Sequence, residues 1–315
     1  MCRLVWWWRL VEWWHHEWGR FITDYPTIKI VLSFYQIVAA VGEVYVITFP
    51  PAFDSLLRVM QAVTFRLTAW LPLLPLECAV PDLRDQLLLV MLLPIGVAAG
   101  GIGIGALSAL CTEPLSNIST SSLLLPGMPF VLVWTFILFP PVSSLGFRSL
   151  APCECFEYEQ PVPGSHETEV CFLSTDRSVI CERSSDGTHR APAPVFGAAL
   201  VAVIVWAVGV PCLYAALLYA ARDALGRRRP PTPLSESLRF LAAGYKPGVF
   251  WWELVVMFKK LFLLGFVALI KPGSLLQTFT STVFAVCFLT LKMKAEPFAS
   301  ITNSFLSTIS SLALV

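Results

Sequence analysis

Long stretches without Asp, Glu, Lys or Arg constrain the fold of this chain more than any other feature. A membrane-spanning helix needs about 20 consecutive, mostly apolar residues. Five uncharged stretches approach or exceed this length: 87–112, 115–147, 191–221, 272–291 and 297–315. Two further apolar stretches, 30–49 and 254–270, contain charged residues. The sequence therefore predicts an all-α, polytopic integral membrane bundle of about seven spans.

The composition supports a membrane protein and excludes several other classes. Hydrophobic residues make up 56% of the chain and charged residues 14%, far from the composition of a soluble domain. The formal net charge of +1 provides no basic field for nucleic acid. Because the sequence contains no HExxH, GxSxG or P-loop motif, we expect neither an enzyme nor a bound cofactor.

Two segments are predicted to lie along the membrane surface rather than across it. Residues 1–27 contain six of the 11 Trp residues, whose rings favour the headgroup region. This segment lacks the pattern of a cleavable signal peptide. In residues 50–85, the charges of Asp54, Arg58 and Arg66 fall on one helical face, as in an in-plane amphipathic helix.

The distribution of positive charge sets the predicted orientation. With the N-terminus in the cytoplasm, the inner segments hold 14 of the 22 Lys and Arg residues, as the positive-inside rule requires. We then expect spans 1 to 3 within 28–147, an outer loop at 148–190 and spans 4 to 7 within 191–315. The last stretch ends at Val315 without a polar cap, so we also expect a chain truncated at its C-terminus. The plasma membrane and an endomembrane both stay open as locations.

The outer loop carries four of the nine cysteines, and disulfides persist on the oxidising side of a membrane. Cys171 and Cys181 are the preferred pair, because the nine residues between them are typical of a short hairpin. Cys153 and Cys155 are too close to pair comfortably with each other. One of them is therefore expected to reach Cys78 at the end of the first outer loop.

A zinc site is the alternative for these cysteines. His166 and His189 in the same loop would be the further ligands. Zinc sites usually show tight CxxC knuckles, which this loop lacks. We therefore predict disulfides and no bound metal.

Three polar residues within the apolar stretches are candidates for a permeation pathway. Glu43 is the one acid inside a predicted span, and an intramembrane carboxylate is a candidate ion ligand or proton carrier. It also lies close to Pro50, so reaching the outer interface is an equal alternative. Gln277 and Asn303 add polarity to the last two spans, but hydrogen bonds between helices are sufficient to explain them.

A glycine run in the second span predicts close helix packing. Gly96 and Gly100, and likewise Gly101 and Gly105, have GxxxG spacing, which lets helix backbones approach closely in lipid. The alternative is backbone that lines a permeation path.

Basic and aromatic residues near the inner ends of spans 4 and 5 are predicted to bind the inner membrane surface. Arg227, Arg228 and Arg229 end the fourth span and would attract anionic inner-leaflet lipid. Glu253 and Lys260, seven residues apart, do not form an ideal local pair. Interfacial anchoring is favoured over a coupling role for Trp251, Trp252, Lys259 and Lys260. The bilayer is thus the predicted partner, and assembly into homo-oligomers stays open.

Several segments together resemble a known membrane module. They are IKIVLSFYQIVAAVGEVYVITFPPAFDSLL, LLPLECAVP, CFLSTDRSVIC, VGVPCLYAALLYAARD and YKPGVFWWELVVMFKKLFLLGFVALIKPGSLLQ. This pattern resembles the multi-span C-terminal module of protist and algal surface proteins that carry ephrin-receptor-like repeats. That module is similar to the TRP-like membrane domain of fungi, whose members are described as channel-like or as flavin carriers. The resemblance covers residues 28–315.

The resemblance implies a TRP-like channel or transporter module. By it, Cys171 and Cys181 match a recurring pair around a central Asp, here Asp176, which supports their disulfide. An aromatic-acid entry to a span is matched by Trp251, Trp252 and Glu253. The chain departs from the family in two ways: no Cys-rich repeat precedes the membrane part, and the sequence stops in the seventh span. A non-conducting membrane anchor or receptor is the alternative function, because few polar residues continue across the spans.

Overall fold

The computed structural model is a bundle of helices with a small β region at one end. It describes residues 26–45, 50, 51, 55, 82–112, 120–157, 169–184, 187–270 and 273–315. The interfacial segment predicted at 1–27, except its last two residues, and nearly all of the in-plane segment predicted at 50–85 lie outside the described residues. Cys78, His166 and the side chain of Glu43 lie outside them too.

The helices of the described chain follow one another with short 3-10 turns between some of them. In chain order they are α1 (Pro26–Tyr45), α2 (Leu83–Thr112), α3 (Thr120–Leu124), α4 (Met128–Ser149), α5 (Ala193–Ala202), α6 (Val210–Ala220), α7 (Arg222–Leu225), α8 (Pro233–Ser237), α9 (Arg239–Ala242), α10 (Trp252–Leu264), α11 (Leu275–Ala295) and α12 (Ile301–Leu312). The 3-10 turns are Leu125–Gly127, Pro247–Val249 and Phe266–Leu269.

Four helical segments are long and apolar enough to cross a membrane. They are Leu83–Leu110, Leu125–Ser149, Ala193–Ala220 and Leu275–Ala295. Each falls on one of the predicted spans, and their composition is that of a membrane protein. Large apolar side chains such as Leu92, Ile204 and Phe279 point away from the bundle, as expected where lipid rather than water covers a helix.

The other three predicted spans are helical but shorter. α1 contributes an apolar part over Pro26–Gly42, and α12 has 12 residues. α10 has 13 residues before the 3-10 turn Phe266–Leu269. Among the described residues, these helices fall short of the length or composition of the four spanning candidates.

α4 is the central helix of the bundle. In the apolar part of the spanning candidate that contains it, Leu125–Ser149, 61% of the residues are buried, against 33% or less in the other three candidates. Near its middle, the hydroxyls of Thr135 and Tyr214 are 2.7 Å apart, and the Tyr214 hydroxyl donates to the Leu132 carbonyl at 2.7 Å. The phenol that α6 inserts into this core therefore has its polar atom satisfied.

A π-helical stretch, Val203–Gly209, connects α5 to α6 within one spanning segment. Pro211 follows it in the first turn of α6, and a proline has no N–H to donate into the helical ladder. A wider turn before the proline accommodates the missing bond. Trp206 lies in this stretch and faces inward, where its indole N–H donates to the Met91 carbonyl of α2 at 3.3 Å.

Two glycines of α2 allow a close approach to the turn that precedes α4. A Cβ built at Gly105 would lie 2.6 Å from the backbone nitrogen of Gly127, and one built at Gly101 would overlap the Phe130 ring. A Cβ built at Gly96 would meet nothing within 4 Å, and the same holds at Gly100. The close packing predicted for Gly96 and Gly100 is therefore not found among the described residues.

A small antiparallel sheet follows α4 and confirms the predicted hairpin. Its strands are β1 (Glu154–Glu157), β2 (Glu169–Leu173) and β3 (Asp176–Ile180), in the order β1-β2-β3. A second, two-stranded sheet pairs β4 (Glu182–Arg183) with β5 (His189–Arg190). Leu173 packs with Leu83 and Leu87 at the start of α2, so the β region covers one end of the bundle.

The disulfide pairing differs from the prediction. Cys153 is bonded to Cys181, and Cys155 to Cys171, so the expected Cys171–Cys181 bridge is wrong and neither Cys153 nor Cys155 is left for Cys78. The reason is β1, a strand that the sequence analysis did not foresee. The register of β1 and β2 places Cys155 directly opposite Cys171. Two bridges thus attach β1 to the hairpin.

We predict that non-reducing peptide mapping of the purified protein will recover Cys153 linked to Cys181 and Cys155 linked to Cys171. A Cys153→Ser change should leave Cys181 as a free thiol and keep the other bridge, because the second bridge depends on the β1–β2 register. Recovery of a peptide that links Cys171 to Cys181 in the wild type would contradict this sheet.

We also predict opposite effects for two glycine substitutions on the same helix. Gly105→Ala should lower the melting temperature in detergent, because the new methyl group meets the backbone of Gly127. Gly96→Ala is the matched control and should leave stability equal or higher by up to about 1 kcal/mol, since alanine is the better helix former. Equal melting temperatures for the two variants would contradict the close approach of α2 to this turn.

Candidate functional site

An ion pair buried between α1 and α10 is the centre of the candidate site. Lys29 Nζ lies 2.7 Å from Glu253 Oε2, and the two side chains are 4% and 1% exposed. Glu253 occupies the first turn of α10, where the helix dipole favours a negative charge. Lys29 also donates to the carbonyl of Phe240 at 3.2 Å. A buried charge pair is tolerated when hydrogen bonds satisfy the rest of its polar atoms. In this pair, Glu253 Oε1 has no hydrogen-bond partner among the described residues.

Tyr245 completes the ion pair from the loop that leads into α10. Its hydroxyl donates to Glu253 Oε2 at 3.0 Å, and the Lys29 ammonium lies 4.7 Å from the centroid of its ring. Burial, and next the charge of the Glu253 carboxylate, raise the pKa of Tyr245 well above its ordinary value. The phenol therefore stays protonated and keeps its hydrogen bond to the carboxylate.

A second polar contact joins the same two helices two turns further on. Lys260 Nζ donates to Gln36 Oε1 at 2.8 Å, and Gln36 Nε2 donates to the carbonyl of Ile137 at 3.1 Å. The Lys260 ammonium also lies 3.9 Å from the centroid of the Phe136 ring, a cation–π distance. Lys260 is 1% exposed. Its charge is therefore held by an amide oxygen and an aromatic face instead of by water.

The spacing along the chain explains why these contacts form a ladder. Lys29 and Gln36 are seven residues apart on α1, and Glu253 and Lys260 are seven apart on α10. Residues separated by seven lie on one face of a helix, two turns and about 10 Å apart. Two helices that run in the same direction therefore bring both pairs into contact at once.

A small cavity lies beside this ladder, between α1, α10, α11 and α12. Its volume is about 30 Å³, and the polar residues that line it include Lys29, Ser33, Glu253, Lys259, Lys292 and Ser311. Lys259 Nζ lies 4.8 Å from the centroid of the Phe288 ring, and Lys292 Nζ lies 3.5 Å from the hydroxyl of Ser311. Positive charge thus approaches the cavity from α10 and from α11.

The burial of two lysines contradicts the anchoring role predicted for them. Lys259 and Lys260 are 8% and 1% exposed, whereas anchors would reach the headgroups, and Trp252 is buried as well. Trp251 is exposed on the bundle surface, as an interfacial ring would be. The lysines turn inward because partners are available inside the bundle. The amide oxygen of Gln36 on α1 accepts from Lys260, and the Phe288 ring of α11 faces the Lys259 ammonium.

The three arginines after α6 are placed differently. Arg227, Arg228 and Arg229 are exposed at the end of the bundle, and Arg229 Nε lies 3.8 Å from a carboxylate oxygen of Asp223. Their exposure keeps them accessible to lipid phosphates. Binding of anionic lipid there stays a prediction.

The polar residues predicted to line a pathway connect helix ends instead. Gln277 is fully buried, and its Nε2 donates to the carbonyls of Val44 and Val267 at 3.0 and 3.2 Å. Asn303 Oδ1 accepts from the hydroxyl of Thr27 at 2.9 Å. Gln277 thus ties the start of α11 to the end of α1, and Asn303 ties α12 to the start of α1. The structure does not bring these two residues together.

The zinc alternative has a partial counterpart in the β region. The ligand atoms of Cys155, Cys171 and His189 lie within 4.8 Å of one another. The two sulfurs are bonded to each other, and a thiolate is the form of cysteine that binds zinc. His166 lies outside the described residues.

Sequence analysis missed three members of the cluster: Lys29, Gln36 and Lys292. The signal that was available is the spacing of Lys29, Ser33 and Gln36, which places three polar side chains on one face of an otherwise apolar helix. Lys292 directly follows the uncharged stretch 272–291, so the sequence alone predicts it beyond the end of that span. α11 instead continues through Ala295 and buries Lys292.

We predict that Gln36→Leu will lower the free energy of unfolding in detergent by about 1.5 to 3 kcal/mol, the usual effect of removing a partner from a buried charged donor. Gln36→Glu is the matched variant and should lose much less, because a carboxylate still accepts from Lys260. The measurement is denaturant unfolding followed by tryptophan fluorescence. A Gln36→Leu variant as stable as the wild type would contradict the buried contact.

Comparison with known proteins assigns no family to the chain. No protein-family model matches it, and no curated protein and no solved structure matches it either. The interpretation of the site therefore depends on its own geometry and chemistry.

Proposed function

We propose that this protein is a polytopic membrane module of the channel or transporter type, and that its pathway passes the cluster of Lys29, Glu253, Lys260 and Gln36. The single observation that carries the proposal is the burial of three ionisable side chains, Lys29, Glu253 and Lys260, among apolar helices. Charged residues inside a membrane bundle are costly and are by default functional. The predicted resemblance to a TRP-like module points to the same class.

The proposal includes about seven spans with the N-terminus in the cytoplasm. The directions of the helices support this number. The starts of α1 and α10 meet through Lys29 and Glu253, and the start of α12 meets that of α1 through Asn303. The start of α11 meets the end of α1 through Gln277. Spans one, five and seven therefore run in one direction and span six in the other, as in a chain that crosses at each step.

The length of α1 supports a crossing as well. Its 20 residues extend about 30 Å, the thickness of the hydrocarbon core. Lys29 on α1 faces α10, so its ammonium does not contact lipid and the free energy of placing a charge in lipid is avoided. In this arrangement the disulfide-bonded sheet lies at the opposite end from Lys29 and is extracytoplasmic, where its two bridges would persist.

A non-conducting membrane anchor or receptor is the second candidate. One observation favours it: the side chains of Gln277, Asn303 and Gln36 already form hydrogen bonds within the protein. A pathway needs polar groups that are available to an ion at several depths. The cavity next to Glu253 is small and lies at one end of the bundle. The two candidates therefore differ in whether any ion moves.

The test is ion flux through purified protein in liposomes, with potassium and chloride measured separately. We predict measurable flux for the wild type and a decrease of about tenfold or more for Lys260→Gln, which corresponds to about 1.4 kcal/mol of lost stabilisation along the path. Glutamine retains an amide that can hydrogen bond to Gln36, so the variant should still fold.

Lys246→Gln is the matched control. Lys246 lies at the same end of the bundle but is exposed and pairs with Glu296 at 3.4 Å, so its flux should equal that of the wild type. Absence of both ion fluxes from folded, correctly bridged protein would contradict the proposal and favour the anchor or receptor.

A further inference from the structure

The cavity between α1, α10, α11 and α12 has more positive than negative charge around it. Lys29, Lys259 and Lys292 line it together with one carboxylate, Glu253. Lys260 is buried nearby, with its ammonium directed to Gln36. Lys29 is neutralised by Glu253 at 2.7 Å. Among the described residues, no ion pair is formed by Lys259 or Lys292, and the one carboxylate of the lining, Glu253, is paired with Lys29.

The contacts of these two lysines are those of ammonium groups that lack an anion. Lys259 has the Phe288 ring as a partner at 4.8 Å, and Lys292 has the Ser311 hydroxyl at 3.5 Å, the limit of a hydrogen bond. Their side chains are 8% and 2% exposed. An isolated buried ammonium is strongly unfavourable, because nothing around it solvates the charge. A bound anion would reduce this cost.

The hydroxyl groups around the cavity fit the same ligand. Ser307, Ser310 and Ser311 line it from α12, and Ser33 lines it from α1. The hydroxyls of Ser310 and Ser311 donate to the carbonyls of Leu306 and Ser307. Ser33 and Ser307 are therefore the lining serines whose hydroxyls can donate to an anion. In addition, Glu253 Oε1 has no hydrogen-bond partner among the described residues. A water molecule that shares the cavity would donate to this oxygen and separate it from the anion.

The size of the cavity restricts the anion. A volume of about 30 Å³ accommodates about two water-sized groups, since one water needs roughly 10 to 15 Å³ on this measure. A halide ion matches this space more closely than a phosphate or a sulfate with its four oxygens.

We propose that this cavity binds a small monovalent anion, such as chloride, between Lys259 and Lys292. The inference rests on the proposed function, because it names the class of ion that the site of that function holds. The anion would accept from both ammonium groups and from the Ser307 hydroxyl of α12. Its binding would neutralise the positive charge that α10 and α11 bring into the bundle.

The experiment is equilibrium binding of radioactive chloride to the full-length purified protein in nanodiscs of neutral phosphatidylcholine. We expect saturable binding that unlabelled bromide displaces and the much larger gluconate does not. Lys259→Gln and Lys292→Gln should each weaken binding about tenfold or more, as for loss of one charged hydrogen-bond donor. Lys294→Gln, on the exposed side of α11, should bind as the wild type does.

Lys292→Arg keeps the charge and should keep most of the binding, which separates an electrostatic effect from misfolding. Absence of saturable chloride binding in the wild type, or equal binding in Lys292→Gln and Lys294→Gln, would overturn the proposal. Because this assay requires no ion movement, it separates the two hypotheses: chloride binding without flux contradicts only the proposed function, and flux without chloride binding contradicts only the anion site.

Discussion

The structure depends on how charged side chains are kept inside an apolar bundle. A lysine or glutamate in such a place is tolerated only if another polar group faces it, because neither lipid nor a hydrocarbon core solvates the charge. Lys29 and Glu253, and Lys260 and Gln36, meet this condition across α1 and α10. The contacts fix the relative direction and rotation of the two helices, since a turn of either helix would expose both pairs to apolar surroundings.

Elsewhere in the bundle, both the inner and the outer faces of the helices are mostly apolar. α4 occupies the centre, and the helices around it direct large apolar side chains outward, where lipid would cover them. Hydrophobic burial alone gives little directional information in lipid, so specific contacts determine how the helices pack. Gly105 and Gly127 allow α2 to lie close to the turn before α4. The Tyr214 hydroxyl of α6 donates to α4, and Gln277 of α11 donates to the end of α1.

Some of these features could be predicted from the sequence, and others could not. Four spans follow from uncharged length alone, because a helix in lipid needs about 20 apolar residues. The hairpin between Cys171 and Cys181 follows from local spacing, but the disulfide pairing depends on β1, whose register with β2 is a nonlocal property. For the same reason Lys259 and Lys260 were predicted to be anchors. Their burial depends on α1 and α11, which lie far away in the sequence.

The central claim is that Lys29 and Glu253 stabilise the bundle as a pair. A double-mutant cycle tests it most directly: the free energy of unfolding in detergent is measured for the wild type, Lys29→Met, Glu253→Met and the double variant. Each single change should be strongly destabilising, by about 3 to 5 kcal/mol, because it leaves an unpaired buried charge. The double variant should then be much more stable than expected from the sum of the two single-variant losses in unfolding free energy. Effects that add to within about 0.5 kcal/mol would show that the two side chains act independently and would contradict the account.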